Sequence, residues 1–153
     1  MMDVRLSYDA ELQGADIAVV DGLLQLDGGL RTAVLISLFT DARADAADVL
    51  PNPGDDVRGW WADTFAETEG DRIGSRLWLL SREKATNKTL ERARGYARDA
   101  LAWLIDDGIA ATVEVATSWY AQGVMRVDVD LAPNTAGATA ERHTVFWNLS
   151  YAV

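Results

Sequence analysis

Arg58, Trp60, Trp61, Arg76, Trp78 and Arg82 are the three tryptophans and three of the four arginines in the stretch from Asp55 to Arg82, DDVRGWWADTFAETEGDRIGSRLWLLSR. An indole brings a large apolar area and one N–H donor, and a guanidinium pairs with carboxylates through a planar fork or stacks on an aromatic face. Such a set suits packing and arginine pairing, and it names no reaction. Three uses stay open for Trp60, Trp61 and Trp78: completing a core between helices and sheet, forming a protein interface, or stacking on a sugar.

The remaining reactive side chains assemble into no known constellation. His143 is the only histidine; it opens a strand with no second His or Cys beside it, so a structural or surface role is expected and no zinc site follows. Asp41, Asp45, Asp48, Asp55 and Asp56 miss the alternating ligands and fixed glycine of an EF-hand loop and read as a solvated acidic loop. Asp106-Asp107 lacks a second carboxylate pair placed opposite it, which acid–base work would need. At a helix C-terminus these charges also oppose the dipole. Gly28, Gly29, Gly70 and Gly74 fit neither a phosphate-binding loop nor a dinucleotide fingerprint.

The elements that must hold these residues follow from periodicity. Leu90, Ala93, Ala97, Leu101 and Leu104 recur at helical steps, predicting one long helix over Lys88 to Asp106. Thr86 or Asn87 caps its start, and Gly108 takes the left-handed conformation past its end. Beyond Gly108 the period becomes alternating. Val113 and Val115 face one way with Thr112 and Glu114 opposite; Met125, Val127, Val129 and Leu131 alternate with Arg126, Asp128 and Asp130; Val145, Trp147, Leu149 and Tyr151 repeat the pattern. Joined by a Gln122-Gly123 turn and a loop over Pro133 to Glu141, these strands make an antiparallel meander covered by the helix.

Leu30 to Phe39 fits a buried helix slightly better than a strand, and Thr40-Asp41 ends it. Apolar runs flank Asp21-Gly22, predicting a small N-terminal hairpin or extended arms. Asp41 to Gly59, with Pro51 and Pro53, reads as a long acidic loop, and Ile73 to Leu80 as a short helix. The class is α+β: a long helix packed on a C-terminal antiparallel β-meander, an N-terminal hairpin or extended arm and a second, shorter helix, all in one domain over residues 1–153.

Composition narrows the partners. A formal charge of −10 disfavours attraction to a phosphate backbone or an anionic membrane. Twelve of the fourteen basic residues are arginine, which suits fixed pairing at interfaces and equally follows from a GC-rich genome. With no cysteine, thiol chemistry and disulfides are excluded. The N-terminal sequence lacks the basic and apolar segments of a signal peptide, so a soluble protein made in the cytoplasm is expected.

Several pieces, in order, resemble a known family: LRTAVLISLFTDARA from Leu30 to Ala44, the acidic loop with LPNP, RGWWAD from Arg58 to Asp63, GSRLWLLSREK from Gly74 to Lys84, and YARDALAWLIDDGIA ending at Ala110. They are similar to the baseplate protein family of Mu-like bacteriophages and prophages called gene product forty-six. RGWWAD followed by GSRLWLL is the specific part. The resemblance implies a structural, non-enzymatic component of a contractile-tail baseplate wedge in a virion or tailocin, made in the host cytoplasm. It is similar in role to the small wedge protein of T-even phages and the W protein of P2-like phages.

Those relatives hold larger wedge subunits in a core bundle and present a sheath-like domain, on which the first sheath ring forms by strand exchange. The implied partners are larger baseplate wedge subunits, tail sheath or sheath-like protein, and hub or tube-proximal proteins, with no cofactor, metal, nucleic acid or membrane. T-even relatives carry Glu-Pro-Arg just after the long helix; this chain has Asp106-Asp107-Gly108, so that contact is not carried over. Wedge contacts fall instead to Arg58 to Asp63 and to Arg76, Trp78 and Arg82. A long loop and a meander with an available edge suit docking by side-chain packing and β-augmentation. The competing reading is a Trp-based glycan-binding module or a hydrolase using its acidic residues.

Overall fold

The computed structural model describes residues 3–9, 14–27, 29–54, 56–66, 68 and 70–149. Gly28, Asp55 and Tyr151, used in the sequence reading, lie outside them. The frame is the expected helix on a meander. Helix α1 spans Arg31–Phe39 and α2 Asn87–Leu101, α3 is a single turn over Trp103–Asp106, and strands Ala110–Ala121, Val124–Pro133 and Glu141–Asn148 form a three-stranded antiparallel sheet with the second strand central.

Thr86 caps α2, its Oγ1 accepting the Thr89 N–H at 3.2 Å, an interaction worth about 1 kcal/mol at a helix start. Ala93, Ala97, Leu101 and Leu104 are fully buried along the expected stripe. The predicted helix from Lys88 to Asp106 runs on through Ala102, whose φ of −60° and ψ of −34° stay helical, with one local tightening between α2 and α3. At Ala102 the N–H bonds to Asp99 O, three residues back, which tightens the turn. Trp103 next to it donates its Nε1–H to Ser37 Oγ at 3.0 Å, joining α3 to α1. Past α3, Gly108 at φ 69° donates to Ile105 O and Ile109 donates to Leu104 O, the paired bonds of a Schellman stop.

The sheet buries one face. Met125, Val127, Val129 and Leu131 of its central strand, with Val145, Trp147 and Leu149 behind them, close on α1 and α2. Phe39 of α1 stacks on Trp147, ring centroids 5.4 Å apart. Gln122-Gly123 makes the two-residue turn, with Gly123 at φ 73°. At the N-terminus of α1, Leu30 N–H donates to Glu141 Oε2 at 3.2 Å. A Cβ on Gly29 would stand 2.8 Å from that same oxygen, so a larger residue there would have to displace the Glu141 carboxylate.

The N-terminal arm is more elaborate than one hairpin. Strands β1 (Asp3–Val4) and β6 (Leu26–Asp27), β2 (Leu6–Asp9) and β3 (Gly14–Ile17), and β4 (Val19–Val20) and β5 (Leu23–Leu24) form three antiparallel pairs. The pairs meet at a closed triangle of backbone bonds: Arg5 N–H to Gln25 O, Gln25 N–H to Ala18 O, and Ala18 N–H to Arg5 O. Asp21 and Gly22, at φ 51° and 76°, supply the expected tight turn of the outermost hairpin. Thr32 of α1 holds the arm, accepting from Leu6 N–H and donating to Val4 O.

The short helix expected over Ile73 to Leu80 is a 3-10 turn confined to Leu77–Leu80. All four of its residues are buried, so it has no solvent face for a helical stripe to define. Trp78 and Leu79 join Ala44 in a second small core, against Leu50, Val57 and Tyr96.

Candidate assembly surface

The Arg/Trp-rich segment forms one fixed unit with the acidic loop. After α1 the chain turns outward at Thr40, and Ser75 runs beside Asp41: Ser75 N–H donates to Thr40 O at 2.8 Å and Ala42 N–H to Ser75 O at 2.9 Å. Ser75 Oγ donates to Leu38 O at 2.6 Å, satisfying a carbonyl at the end of the helix. Gly74 makes the approach feasible. At φ 104° its missing Cβ would lie 2.5 Å from Thr40 O.

Arg58 and Arg76 are the two clamps. Arg58 lies over the Trp78 ring, 4.5 Å from its centroid, and its Nη1 reaches Asp41 Oδ2 at 2.7 Å. Arg76 pairs with Asp45, with Asp48 at 3.2 Å and with Asp99 of α2 at 2.9 Å, while its guanidinium covers Tyr96. Burial pushes the Arg76 pKa down, but the bond to Asp99 and the charges of Asp45 and Asp48 outweigh it, leaving the guanidinium above its ordinary value. Arg82 holds Asn52 and donates its backbone N–H to Leu149 O, tying the segment to the end of the sheet. The acidic loop is thus pinned by arginine rather than left as a solvated run. Among the described residues no three carboxylate or imidazole groups converge as a metal site would require.

The three tryptophans part company. Trp78 is 1% exposed and its Nε1–H donates to Ala42 O at 2.8 Å, so it belongs to the core and its own face is closed to a partner. Trp60 and Trp61 are 43% and 73% exposed. They are turned outward by Arg58 and Gly59, at φ 54° and 113°, just ahead of a 3-10 turn over Trp61–Phe65. That turn adds Phe65, 76% exposed, which sequence reasoning missed although it lies four residues from Trp61. Asp63 holds the knuckle in place by accepting the Ile73 N–H at 3.2 Å. Trp60 and Trp61 are tilted 53° to each other and Trp61 meets Phe65 edge-on at 69°, so the three rings share no common plane.

The outer face of the meander carries a second ordered set. Asp130 lies opposite Arg142 and accepts both Nε–H and Nη2–H of its fork, at 2.5 and 2.8 Å. Asp128, opposite Thr144, accepts from that hydroxyl at 2.5 Å and from Arg126. Arg142 holds the Asp130 carboxyl below the usual range. Burial raises Asp128, yet Thr144, Arg126 and Arg142 bring it below its ordinary value as well. Alternation had placed Arg126, Asp128 and Asp130 on this face; their partners on the third strand depend on register, which only the folded sheet supplies.

His143 is buried within the third strand, its Nε2 3.1 Å from Glu141 Oε2 but outside hydrogen-bonding geometry. It is structural rather than a surface group. Asp106 and Asp107 are exposed at the end of α3.

These features define an α+β module in which arginine-clamped loops hold exposed aromatics on a helix-and-meander frame. Residues 30–137 match the family described as Phage protein GP46, and the chain belongs to that family. It is 54% identical to "Baseplate protein gp46" of Escherichia phage Mu over 104 residues, covering 67% of this chain and 70% of that protein. It is 37% identical to "Mu-like prophage FluMu protein gp46" of Haemophilus influenzae over 127 residues, covering 83% of this chain and 84% of the relative.

Proposed function

We propose that this chain is a structural subunit of a Mu-like phage tail baseplate, residing in the baseplate of the assembled particle. The observation that carries the reading is the 54% identity to a protein named for the phage Mu baseplate, reinforced by the family match across the clamped loops and α2. Within that role we assign it to the wedge, where it joins larger wedge subunits and starts sheath assembly by accepting a strand at an edge of the meander. A three-stranded sheet with two outer strands has the backbone groups that such augmentation uses.

The wedge-facing surface in this proposal is the knuckle of Trp60, Trp61 and Phe65. Large exposed aromatics held on a fixed turn are the side chains that dominate interface energies once desolvated. Arg58 and Arg76 act behind it, committed to Asp41, Asp45, Asp48 and Asp99, and Trp78 supports it from the core. Arg82 braces the same unit through Asn52.

Co-expression with the larger baseplate subunits and the sheath protein of the same tail, followed by size-exclusion chromatography, tests the assignment. Co-elution with a wedge subunit is expected, and Trp61→Ala should weaken it at least ~10-fold, as loss of a central aromatic anchor does. A chain that elutes apart from every baseplate and sheath partner would remove the proposal.

A further inference from the structure

The outermost hairpin of the N-terminal arm is apolar on both faces. Ile17, Val19, Val20, Leu23 and Leu24 are each between 50% and 71% exposed, five of the thirteen large apolar residues exposed among the described residues. Val19 stands opposite Leu24 and Val20 opposite Leu23. Opposed residues share a face and successive residues alternate, so one apolar pair points up and the other down. A hairpin that packed on its own domain, or lay on a flat partner, would cover one pair and leave the other in water. Covering both needs walls on two sides.

The hairpin is also a built structure. Asp21-Gly22 closes it, the bond triangle of Arg5, Ala18 and Gln25 fixes its base, and Thr32 ties the arm to α1. Its own segment carries one sign of charge: between Leu6 and Leu30 there are five acidic residues and neither Lys nor Arg, while Arg5 stands at its base. Asp16 and Asp21 are exposed beside the apolar pairs. A second copy would bring the same acids into contact, and an anionic lipid surface or nucleic acid would repel them.

We propose that the hairpin from Ile17 to Leu24 is a prong that inserts into an apolar cleft, rimmed by Lys or Arg, on a different protein subunit of the particle. The inference rests on the baseplate reading for the kind of partner, and adds a second joint well apart in sequence from the Trp60–Trp61 knuckle.

The test uses the full chain co-expressed with the larger baseplate subunits, comparing wild type with Leu23→Asp, Asp21→Asn and Trp61→Ala. Leu23→Asp removes apolar burial and introduces a charge into the cleft, so a loss on the order of 100-fold in affinity is expected. Asp21→Asn keeps the tight turn but lowers the charge, so affinity should fall about 3-fold and its salt dependence flatten. A well-folded Leu23→Asp chain that binds as wild type does overturns the prong and leaves the baseplate reading standing, whereas a wild type that binds no subunit overturns both.

A photo-crosslinking residue at position 23 gives an answer independent of variant folding. An adduct on a Lys- or Arg-flanked apolar segment of another subunit supports the cleft. Adducts only between copies of this chain, or flotation of the chain with phosphatidylcholine vesicles that Leu23→Asp abolishes, would assign the prong to self-association or lipid and overturn it.

Discussion

Replacing Arg76 by alanine tests whether arginine pairing, rather than packing alone, holds the acidic loop against α2. Its side chain is 21% exposed and serves Asp45, Asp48 and Asp99, whose side chains are 58%, 15% and 65% exposed. The outer two pairs are screened by water and contribute only a few tenths of a kcal/mol each, up to ~1. Asp48, the most buried of the three, keeps the Asp45 N–H at 2.8 Å but loses a charged hydrogen bond, at a cost of roughly 1.5 kcal/mol. Contact with Tyr96 adds about 0.5–1 kcal/mol. Arg76→Ala should therefore destabilise the chain by about 2–4 kcal/mol, read from urea unfolding followed by tryptophan fluorescence. In double-mutant cycles the coupling of Arg76 to Asp48 should exceed that to Asp45 or Asp99. Arg76→Lys should recover less than half the loss, because one ammonium cannot span three carboxylates held by a fork. A destabilisation within ~0.5 kcal/mol of zero, the range of ordinary surface substitutions, would refute the clamp.

Gly74→Ala should cost about 2–4 kcal/mol, since it combines a left-handed φ with a Cβ driven into Thr40 O; a melting temperature equal to wild type would contradict that geometry. The two kinds of tryptophan should separate cleanly. Trp61→Ala is expected to change stability by less than ~0.5 kcal/mol, whereas Trp78→Phe, losing the bond to Ala42 O, should lose about 2 kcal/mol; thermal melts of both decide it. On the outer sheet face, Asp128 has a depressed folded pKa, so its stabilisation is present above the unfolded value of ~3.9 and fades as pH falls through the folded one. Thr144→Val should thus lower stability at pH 7 by about 1 kcal/mol, with the difference from wild type shrinking as the carboxyl protonates in strong acid. Urea titrations across that range check it, and a difference independent of pH would refute the linkage.

The long helix, its Thr86 cap, its Gly108 stop and the three-stranded meander are legible from sequence because each rests on local periodicity or on one residue's backbone preference. The local tightening at Ala102 is not, because the Trp103 to Ser37 bond that accompanies it joins residues far apart in the chain. Ile73 to Leu80 misleads for a related reason. Its apolar spacing matches a helix, yet Leu77–Leu80 is buried on every side and carries no amphipathic signal to distinguish a 3-10 turn from an α-helix. The same limit applies to the candidate site, where residue type marks the Arg/Trp segment as unusual but assigns neither inside nor outside.

The sequence by itself determined the class, the family and the material of the site: arginines among tryptophans, an acidic loop and an N-terminal arm built around Asp21-Gly22. Only the tertiary structure decided their division of labour. Trp78 went into the core while Trp60 and Trp61 were turned out by two positive-φ residues, and Arg58 and Arg76 were taken up by carboxylates of the loop and α2. Burial and ion pairing depend on which distant segments meet, and that depends on close backbone approaches such as Gly74 against Thr40, which composition and local spacing do not encode.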